Sequence, residues 1–431
     1  MKKIIIYIAL FLPLAGFAQP AISLKSAIDT TLKNSFDILF LTNNLEITKT
    51  NNKFGVAGGL PTLNVNVSDN QSYISVNQEL YTGDKINKPQ ATANALNSSI
   101  TSGMTLFNGF KVWATKKRLG ILQSQSELTL NNQIQNSIAT VMAKYYDIVR
   151  QQEYLKIMQN SLDVSQKKLD IVTEKKNVGM ANDADYLQAQ IDVNAAKQSL
   201  RTQQAIVEQV KTDLLQLMSQ KNYYPYTVSD SITVDKSIQL NDVTGFLNQN
   251  PQYMATEEQV RINEQALKEV AALRFPTLRL TGGYSMNRTK NSAGNILLNE
   301  SYGPNVGLTL SVPIFNGGSY KAQKEVAEFN IENAMLQKES LLNTLTSGAI
   351  KTHQSYNSAI QQIDAQKNTV ELSGKLINVV LQRFQVNQAT ILDVKAAQAS
   401  YESTGYQFIN LSYAAKIAEI ELKRLMYKLG N

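Results

Sequence analysis

The sequence predicts a mainly α-helical protein with a membrane β-barrel, built as a tandem repeat. Each copy supplies two transmembrane strands and one very long α-helical hairpin. Three observations predict this fold: motifs that recur in order along the chain, heptad-spaced apolar residues over long stretches, and amphipathic segments of bilayer length. Since four strands cannot close a barrel, we expect a trimer that forms a 12-stranded β-barrel on a 12-helix α-barrel.

The first element is a predicted signal peptide at residues 1–18. Two lysines precede an apolar run that ends at Leu12, and Gly16 and Ala18 supply small residues where a signal peptidase needs them. We expect cleavage before Gln19 and export of the mature chain. The alternative is an N-terminal membrane anchor, but the apolar run is shorter than the ~20 residues that a spanning helix requires.

The rest of the chain consists of two copies of one unit. Phe107-Asn108-Gly109 recurs 208 residues later as Phe315-Asn316-Gly317, and a motif around Pro61 recurs 215 residues later around Pro276. Several matches in the same order are typical of an internal duplication. The predicted domains are repeat 1 at 19–218, an inter-repeat equatorial linker at 219–237 and repeat 2 at 238–431.

Heptads predict the long helices. Apolar residues recur every seven positions from Ile134 to Leu169 and from Leu342 to Phe384, inside stretches without proline. A strict period of seven requires a partner helix alongside. Turns at Val178-Gly179 and Val386-Asn387 reverse the chain, with Asn387 expected to take the left-handed conformation in place of glycine. The predicted long helices are 109–178 and 183–219 in repeat 1, and 317–386 and 390–429 in repeat 2.

Alternation with period two predicts the strands. Val306, Leu308 and Leu310 alternate with polar residues or glycine, and other segments repeat this pattern. The predicted strands are 61–75, 94–107, 276–288 and 301–314, joined by polar loops at 78–90 and 288–299. Each has roughly the length that a tilted strand needs to cross a bilayer.

The number of strands predicts the number of chains. An open sheet edge in lipid leaves backbone groups unpaired, at a cost of several kcal/mol each. Eight strands from two chains would enclose only side chains, whereas twelve from three chains leave a lumen. Polar inward positions favour the water-filled ring, so we expect a hollow homotrimer.

On these motifs the chain resembles the TolC-like outer membrane efflux proteins. The resemblance rests on the two-copy arrangement, both Phe-Asn-Gly motifs, and the turn at Val178-Gly179 followed by 185–190 with its counterpart at 391–394. It implies an outer membrane channel that extends into the periplasm, the passive exit duct of a tripartite efflux pump or of a type I secretion system. The implied partners are outer membrane lipid, a periplasmic adaptor protein and an inner-membrane pump of RND or ABC type.

The resemblance also implies site residues. Asp183, Asp185 and Asp393 lie next to the turns of the two hairpins. In a trimer, threefold copies of such a carboxylate around a narrow axis would repel one another and attract cations. The alternative is that these acids are ordinary first-turn residues favoured by the helix dipole. The chain departs from the family pattern at Ala389, Phe384 and Ala396, where some members have an arginine, a tyrosine and a second acid, respectively. The implied periplasmic aperture is Asp183, Asp185, Phe384 and Asp393; the adaptor-contacting helix tips are Val178, Gly179, Met180, Val386, Asn387 and Gln388; the strand-to-helix junctions are Phe107, Asn108, Gly109, Phe315, Asn316 and Gly317.

Composition argues against chemistry carried out by this chain. There is no cysteine and only one histidine, His353, and no nucleophile turn or glycine-rich phosphate loop occurs. We therefore predict no enzyme activity, cofactor, metal site or lipid anchor, so that the barrel alone retains the protein in the outer membrane. The net charge of +7 is spread along the chain, which leaves nucleic acid binding unsupported.

Two features remain open. Lys167-Lys168 and Lys175-Lys176, near the first turn, indicate either a solvated helix face or attraction for an acidic adaptor surface. The alternative function is an exported coiled-coil spacer or adhesin without a channel. That alternative explains the heptads but not four bilayer-length strands at equivalent points of both copies.

Overall fold

The computed structural model describes residues 20–430; the predicted signal peptide lies outside the described residues. Short 3-10 turns at Leu247–Gln249 and Ala272–Arg274 extend two of the helices. The helices and strands, in chain order, are α1 (Leu24–Asn34), α2 (Phe36–Asn51), β1 (Thr62–Glu79), β2 (Lys85–Asn108), α3 (Lys111–Asn177), α4 (Asp183–Leu217), α5 (Leu240–Phe246), α6 (Pro251–Ala271), β3 (Thr277–Asn291), β4 (Leu298–Ser311), α7 (Ser319–Gln385) and α8 (Ile391–Leu425).

The two halves of the chain have the same order of elements. Helices α3 and α7 each contain 67 residues, and α4 and α8 each contain 35. Helices α3 and α7 begin 208 residues apart, and so do α4 and α8. The Phe-Asn-Gly motifs have the same spacing. The two-repeat, mainly helical fold predicted from the sequence is therefore confirmed.

The chain divides into two compact units that do not coincide with the repeats. Unit 1 consists of Met1–Leu39, Gln133–Asn250 and Leu345–Asn431, and unit 2 of Phe40–Asn132 and Pro251–Thr344. Each unit thus takes segments from both repeats. None of the helices within residues 20–430 combines the length and the apolar character that crossing a membrane requires.

The strands of unit 2 form one antiparallel sheet in the order β1-β2-β3-β4. The first hairpin is longer than predicted, because β1 and β2 pair as far as Glu79 and Lys85 and leave only a short turn in place of the predicted loop 78–90. Backbone groups make the ladder, so polar side chains do not end a strand. A register shift at Ile74/Val76 lies opposite Pro89, which has no N–H to donate.

The second hairpin also differs from its prediction. Strands β3 and β4 extend to Asn291 and from Leu298, so the loop predicted at 288–299 is shorter. Strand β4 ends at Ser311 and not at Ile314. Pro313 explains the early end, since proline cannot donate to a ladder.

The core of unit 1 contains part of the predicted linker 219–237. Tyr226 is fully buried, and its hydroxyl donates a hydrogen bond of 2.8 Å to the carbonyl of Lys211. Tyr145 is buried in the same cluster, and its hydroxyl donates to the carbonyl of Ile22 at 3.1 Å. Burial raises the pKa of both tyrosines. The linker is therefore packed into the core of this unit.

A buried carboxylate fixes the end of the linker to α8. Glu419 is only 3% exposed and accepts hydrogen bonds from Lys416 Nζ at 3.0 Å, Lys423 Nζ at 2.8 Å and the Asp235 N–H at 3.0 Å. Hydrogen bonds from Ser237 and Lys423 lower the pKa of Asp235 to about 2. Because the pKa of Asp235 is depressed, any stability that this carboxylate contributes is present at pH values above the ordinary pKa of aspartate. That stability is lost as the pH falls towards 2.

Candidate functional site: helix tips and strand-to-helix junctions

The tips of both helical hairpins in unit 1 have the same backbone geometry. At the first tip, the Met180 N–H donates to the carbonyl of Lys175 at 2.7 Å and the Gly179 N–H to that of Lys176 at 3.0 Å. This pair of hydrogen bonds is a Schellman motif, which needs a residue with positive φ. Gly179 supplies it with φ of +77°.

At the second tip, the Gln388 N–H donates to the carbonyl of Arg383 at 2.8 Å and the Asn387 N–H to that of Phe384 at 3.3 Å. Asn387 has φ of +60°, which confirms that asparagine takes the place of glycine here. Val178, Met180 and Val386 are all more than half exposed at these turns. The two tips therefore present the same backbone turn with different exposed side chains.

Each returning helix begins with a side-chain cap. Asn182 Oδ1 accepts the Asp185 N–H at 2.7 Å at the start of α4. At the start of α8, Thr390 and Asp393 form a reciprocal capping box, in which the Asp393 carboxylate accepts the Thr390 N–H at 2.7 Å and hydroxyl at 2.8 Å. These bonds lower the pKa of Asp393. Asp393 is thus a first-turn acid whose carboxylate caps α8.

The other two acids at the first tip have different surroundings. Asp183 is exposed and pairs with Lys176 Nζ at 2.7 Å, and the hydrogen bond to that ammonium lowers its pKa. Asp185 is half-buried and contributes its backbone N–H to the cap of α4. The two tips therefore carry similar acids, one of which is neutralised by a lysine of the preceding helix.

Phe384, which the resemblance implied for the aperture, is buried between the two hairpins. Its ring is 7% exposed and lies in an apolar cluster that joins the two hairpins. A large aromatic ring gains more from burial than from exposure at a helix end. The buried members of this cluster, here called the tip cluster, are Val172, Ala189, Leu381, Phe384 and Val394.

Two lysines of the first hairpin make specific contacts within the unit. Lys175 Nζ donates to the Phe384 carbonyl and lies 4.2 Å from the centroid of its ring. Burial lowers the pKa of Lys175. Lys168 is 1% exposed and forms an ion pair with Asp192 of α4. Runs of lysine predict solvent exposure in general, so the sequence carried no signal for these contacts.

The first strand-to-helix junction lies in unit 2. Asn108 Oδ1 accepts the Val112 N–H at 3.3 Å in the first turn of α3. Gly109 has φ of +68°, and a Cβ on it would lie 2.7 Å from the Ala272 carbonyl oxygen and 2.8 Å from Phe275 Cβ. Only glycine fits this position, because both the backbone conformation and the close approach exclude a side chain.

The second junction is built more loosely. Gly317 has φ of +64°, but a Cβ on it would meet no atom within 4 Å. The Asn316 carbonyl accepts the Ser319 N–H at 3.2 Å at the start of α7. Phe315 is 88% exposed, whereas its counterpart Phe107 is half-buried. The same Phe-Asn-Gly motif thus makes one closely packed junction and one open junction.

We expect Gly109→Ala to destabilise the protein by about 2–4 kcal/mol and Gly317→Ala by about 1 kcal/mol. Both variants force alanine into a left-handed conformation, but only the first also adds an overpacking cost. Thermal unfolding of each variant in detergent, followed by circular dichroism, provides the comparison. Equal losses at the two positions would contradict the close approach described for Gly109.

Across residues 20–430, no three histidine, cysteine, aspartate or glutamate side chains come together as a metal ion would need. His353 is buried, with its Nε2 3.3 Å from the carbonyl of Ile238. The fold combines paired long helices that end in capped tips with a four-stranded sheet. These features define a class of proteins in which each pair of strands is followed by a long helical hairpin.

Comparison with known proteins identifies this class. The chain matches the family described as outer membrane efflux protein over residues 27–220 and 245–426, one segment from each repeat. The chain belongs to this family, as the sequence motifs predicted. It is accordingly an efflux protein of the outer membrane, a passive duct and not an enzyme.

Individual relatives agree with this assignment. The chain is 23% identical to the outer membrane protein TolC of Escherichia coli K12 over 355 residues, which cover 79% of this chain and 72% of TolC. The crystal structure of CusC superposes with a TM-score of 0.77 at 18% identity, covering 97% of this chain and 95% of CusC. The outer-membrane channel OprN gives a TM-score of 0.78 at 16% identity, with coverage of 94% and 90%.

Proposed function

We propose that three copies of this chain assemble into a channel whose wall is a 12-stranded barrel continued by twelve long helices. The sheet edges support this proposal most directly. Within residues 20–430, β1 pairs only with β2 and β4 only with β3, so both outer strands have an unused edge. In lipid such edges must be paired, and β4 of one copy next to β1 of another closes the ring.

The side chains on the strands also support insertion in lipid. Leu63, Val65 and Val67 on β1 are each at least 65% exposed, and Val306, Leu308 and Leu310 on β4 are each at least 64% exposed. They occupy every second position and therefore share one face of their strand. An apolar face of this kind fits the acyl chains, while the alternate polar positions fit a water-filled lumen.

The helix tips are proposed to form the inner aperture and the docking surface for a periplasmic adaptor. Exposed apolar side chains at Val178, Met180 and Val386 suit a partner helix, because large apolar surface at a helix end is costly in water. Gly179, Asn387 and Gln388 form the turns between them. We assign Asp183, Asp185 and Asp393 to the aperture, and leave out the buried Phe384. The partner pump is of RND type for efflux, and of ABC type for type I secretion.

Two measurements on the purified protein test this function. We expect a trimer in detergent by native mass spectrometry and stepwise ion conductance in planar bilayers. A coiled-coil spacer would instead stay monomeric and soluble without detergent, and would leave the bilayer current unchanged. That second result would overturn the channel.

The aperture assignment has its own test. We expect Asp185→Asn with Asp393→Asn to weaken block of the channel by divalent cations by about tenfold, because a ring of carboxylates attracts cations. Asparagine at 393 keeps an oxygen that can accept the bonds of the Thr390 cap. Asp170→Asn, the same change at an exposed position of α3 before the first tip, serves as the control. Unchanged block in the double variant would contradict the assignment.

A further inference from the structure

The register of the sheet places one arginine on its polar face. Thr309 lies between the exposed Leu308 and Leu310 of β4, so its side chain is on the opposite face, here called the polar face. Residues that pair across neighbouring strands share a face, and Arg279 of β3 is the partner of Thr309. Arg279 therefore belongs to the face that the proposed channel turns towards its lumen.

The rest of this face is uncharged where all four strands lie side by side. Its positions alternate along 62–72 of β1, 93–105 of β2, 277–289 of β3 and 299–311 of β4. In these four segments, the polar face contains threonine, serine, asparagine, glycine and alanine, with Arg279 as its one charged residue. The other charged residues of the segments, Asp69, Arg288 and Glu300, alternate onto the opposite face.

The guanidinium group of Arg279 has no acid to pair with. Its residue is exposed, and none of the side-chain hydrogen bonds or ion pairs among residues 20–430 involves it. A neighbouring copy of the chain would present the same polar face, so closing the barrel adds no carboxylate there. The positive charge is therefore available to a ligand.

The sheet leaves room for this side chain. Gly103 of β2 lies beside it, and a Cβ on Gly103 would be 2.5 Å from Arg279 Nη2 and 3.2 Å from its Cζ. The guanidinium group thus lies across a position without a side chain. Thr105 and Thr309, the partners of Arg279 on the two neighbouring strands, flank it with hydroxyl groups that can donate a hydrogen bond.

Repeat 1 shows that the strand does not need an arginine here. The motif around Pro61 matches the one around Pro276 with an offset of 215 residues, which makes Asn64 the counterpart of Arg279. Asn64 also lies on the polar face, since it pairs with Thr101. The duplicated framework therefore accepts a neutral side chain at this place, so the charge of Arg279 serves something other than folding.

We propose that Arg279 binds oxyanions in the lumen of the barrel, namely the carboxylate or phosphate groups of solutes that pass through it. The proposal rests on the proposed function, in which three copies close the barrel and bring three such arginines to one level. A guanidinium group carries a permanent charge, and its parallel N–H donors match the two oxygens of a carboxylate or phosphate. Charge of one sign along a channel also raises the local concentration of the opposite ion.

This site would act in the opposite sense to the proposed aperture. Arg279 is the third residue of β3, about 7 Å from the start of the strand. The aperture assigned to Asp185 and Asp393 attracts cations, whereas the arginines attract anions. The charge preference of the duct is therefore not set by the aperture carboxylates alone.

Single-channel recording of the full-length protein in planar bilayers tests the site. Inorganic phosphate and citrate are added to a potassium chloride solution as probes of the two ligand classes. We expect both to reduce the current of the wild-type channel, and Arg279→Gln to weaken that block about tenfold. In a potassium chloride gradient, the reversal potential of this variant should move towards that of potassium. Block by one probe alone supports the site and assigns its class.

Two further variants separate charge from geometry. Arg288→Gln makes the same change on the same strand but on the opposite face, where Arg288 pairs with Glu300 at 3.0 Å, and should leave the block unchanged. Arg279→Lys keeps the charge and loses the fork of donors, so the reversal potential should stay near wild type while phosphate block weakens about threefold. Thermal midpoints equal to that of the wild type show that the variants are folded.

The outcomes distinguish the anion site from the channel. Wild-type channels that conduct without block by phosphate or citrate would overturn the site and leave the proposed function intact. Equal loss of block in Arg279→Gln and Arg288→Gln would indicate diffuse charge and also overturn it. A protein without conductance would remove the channel, and with it the lumen in which the site lies.

Discussion

Replacing Phe384 with alanine is expected to loosen the helix tips and to raise channel opening. The ring is buried in the tip cluster, where it packs with Val172 and Ala189 of the first hairpin and Leu381 and Val394 of the second. Removing it takes away about 3–5 kcal/mol of packing that holds the hairpins together. Any opening that separates the hairpins then costs less, and each ~1.4 kcal/mol raises the open fraction about tenfold.

Single-channel recording in planar bilayers measures this effect, and limited proteolysis of the turns gives a second readout. Leu372→Ala is the matched control, since Leu372 lies on the same helix and is 64% exposed. Phe384→Leu keeps most of the apolar volume and should restore much of the closed behaviour. Wild-type conductance in Phe384→Ala would show that the tip cluster does not hold the tips closed.

Replacing Glu419 with glutamine is expected to destabilise unit 1 by about 3–5 kcal/mol, because it leaves Lys416 buried without a countercharge. Lys416 is 7% exposed and depends on this carboxylate. Burial opposes the charge of Lys423, yet the carboxylates of Glu419 and Asp235 outweigh it and raise its pKa. The variant therefore weakens the attachment of the linker as well as the helix.

Thermal unfolding of the detergent-solubilised protein measures the loss. Glu421→Gln makes the same chemical change two residues further along α8, where the acid pairs with Arg424 at 2.7 Å and is 38% exposed. We expect about 1 kcal/mol or less at this position, since water replaces the lost pair. Equal losses from the two variants would contradict the importance of burial at Glu419.

Much of the fold could be predicted because its signals are periodic and duplicated. Heptads define α3 and α7 even though neither helix is strongly amphipathic, and the repeated Phe-Asn-Gly motif fixes where both begin. Strand ends were predicted less well. Pairing of backbone groups continued through polar residues up to Glu79, while Pro313 ended β4 early.

The tips show what the sequence could not provide. Spacing from the turn placed Asp393 and Phe384 at a tip, but it carried no information about what their side chains contact. The Thr390–Asp393 capping box depends on a local pattern that a sequence can reveal. The burial of Phe384 and Lys168 depends on the other hairpin or helix packed against them, which no local pattern specifies.

The matched hairpins have a consequence for stoichiometry. In a threefold assembly, the shared Schellman turn would appear six times around the axis, whereas the side chains of Met180 and Gln388 would each appear three times. A partner that reads backbone shape could therefore occupy six quasi-equivalent positions. A partner that reads side chains would distinguish alternate positions and bind in threes, so counting bound partners reveals which feature is recognised.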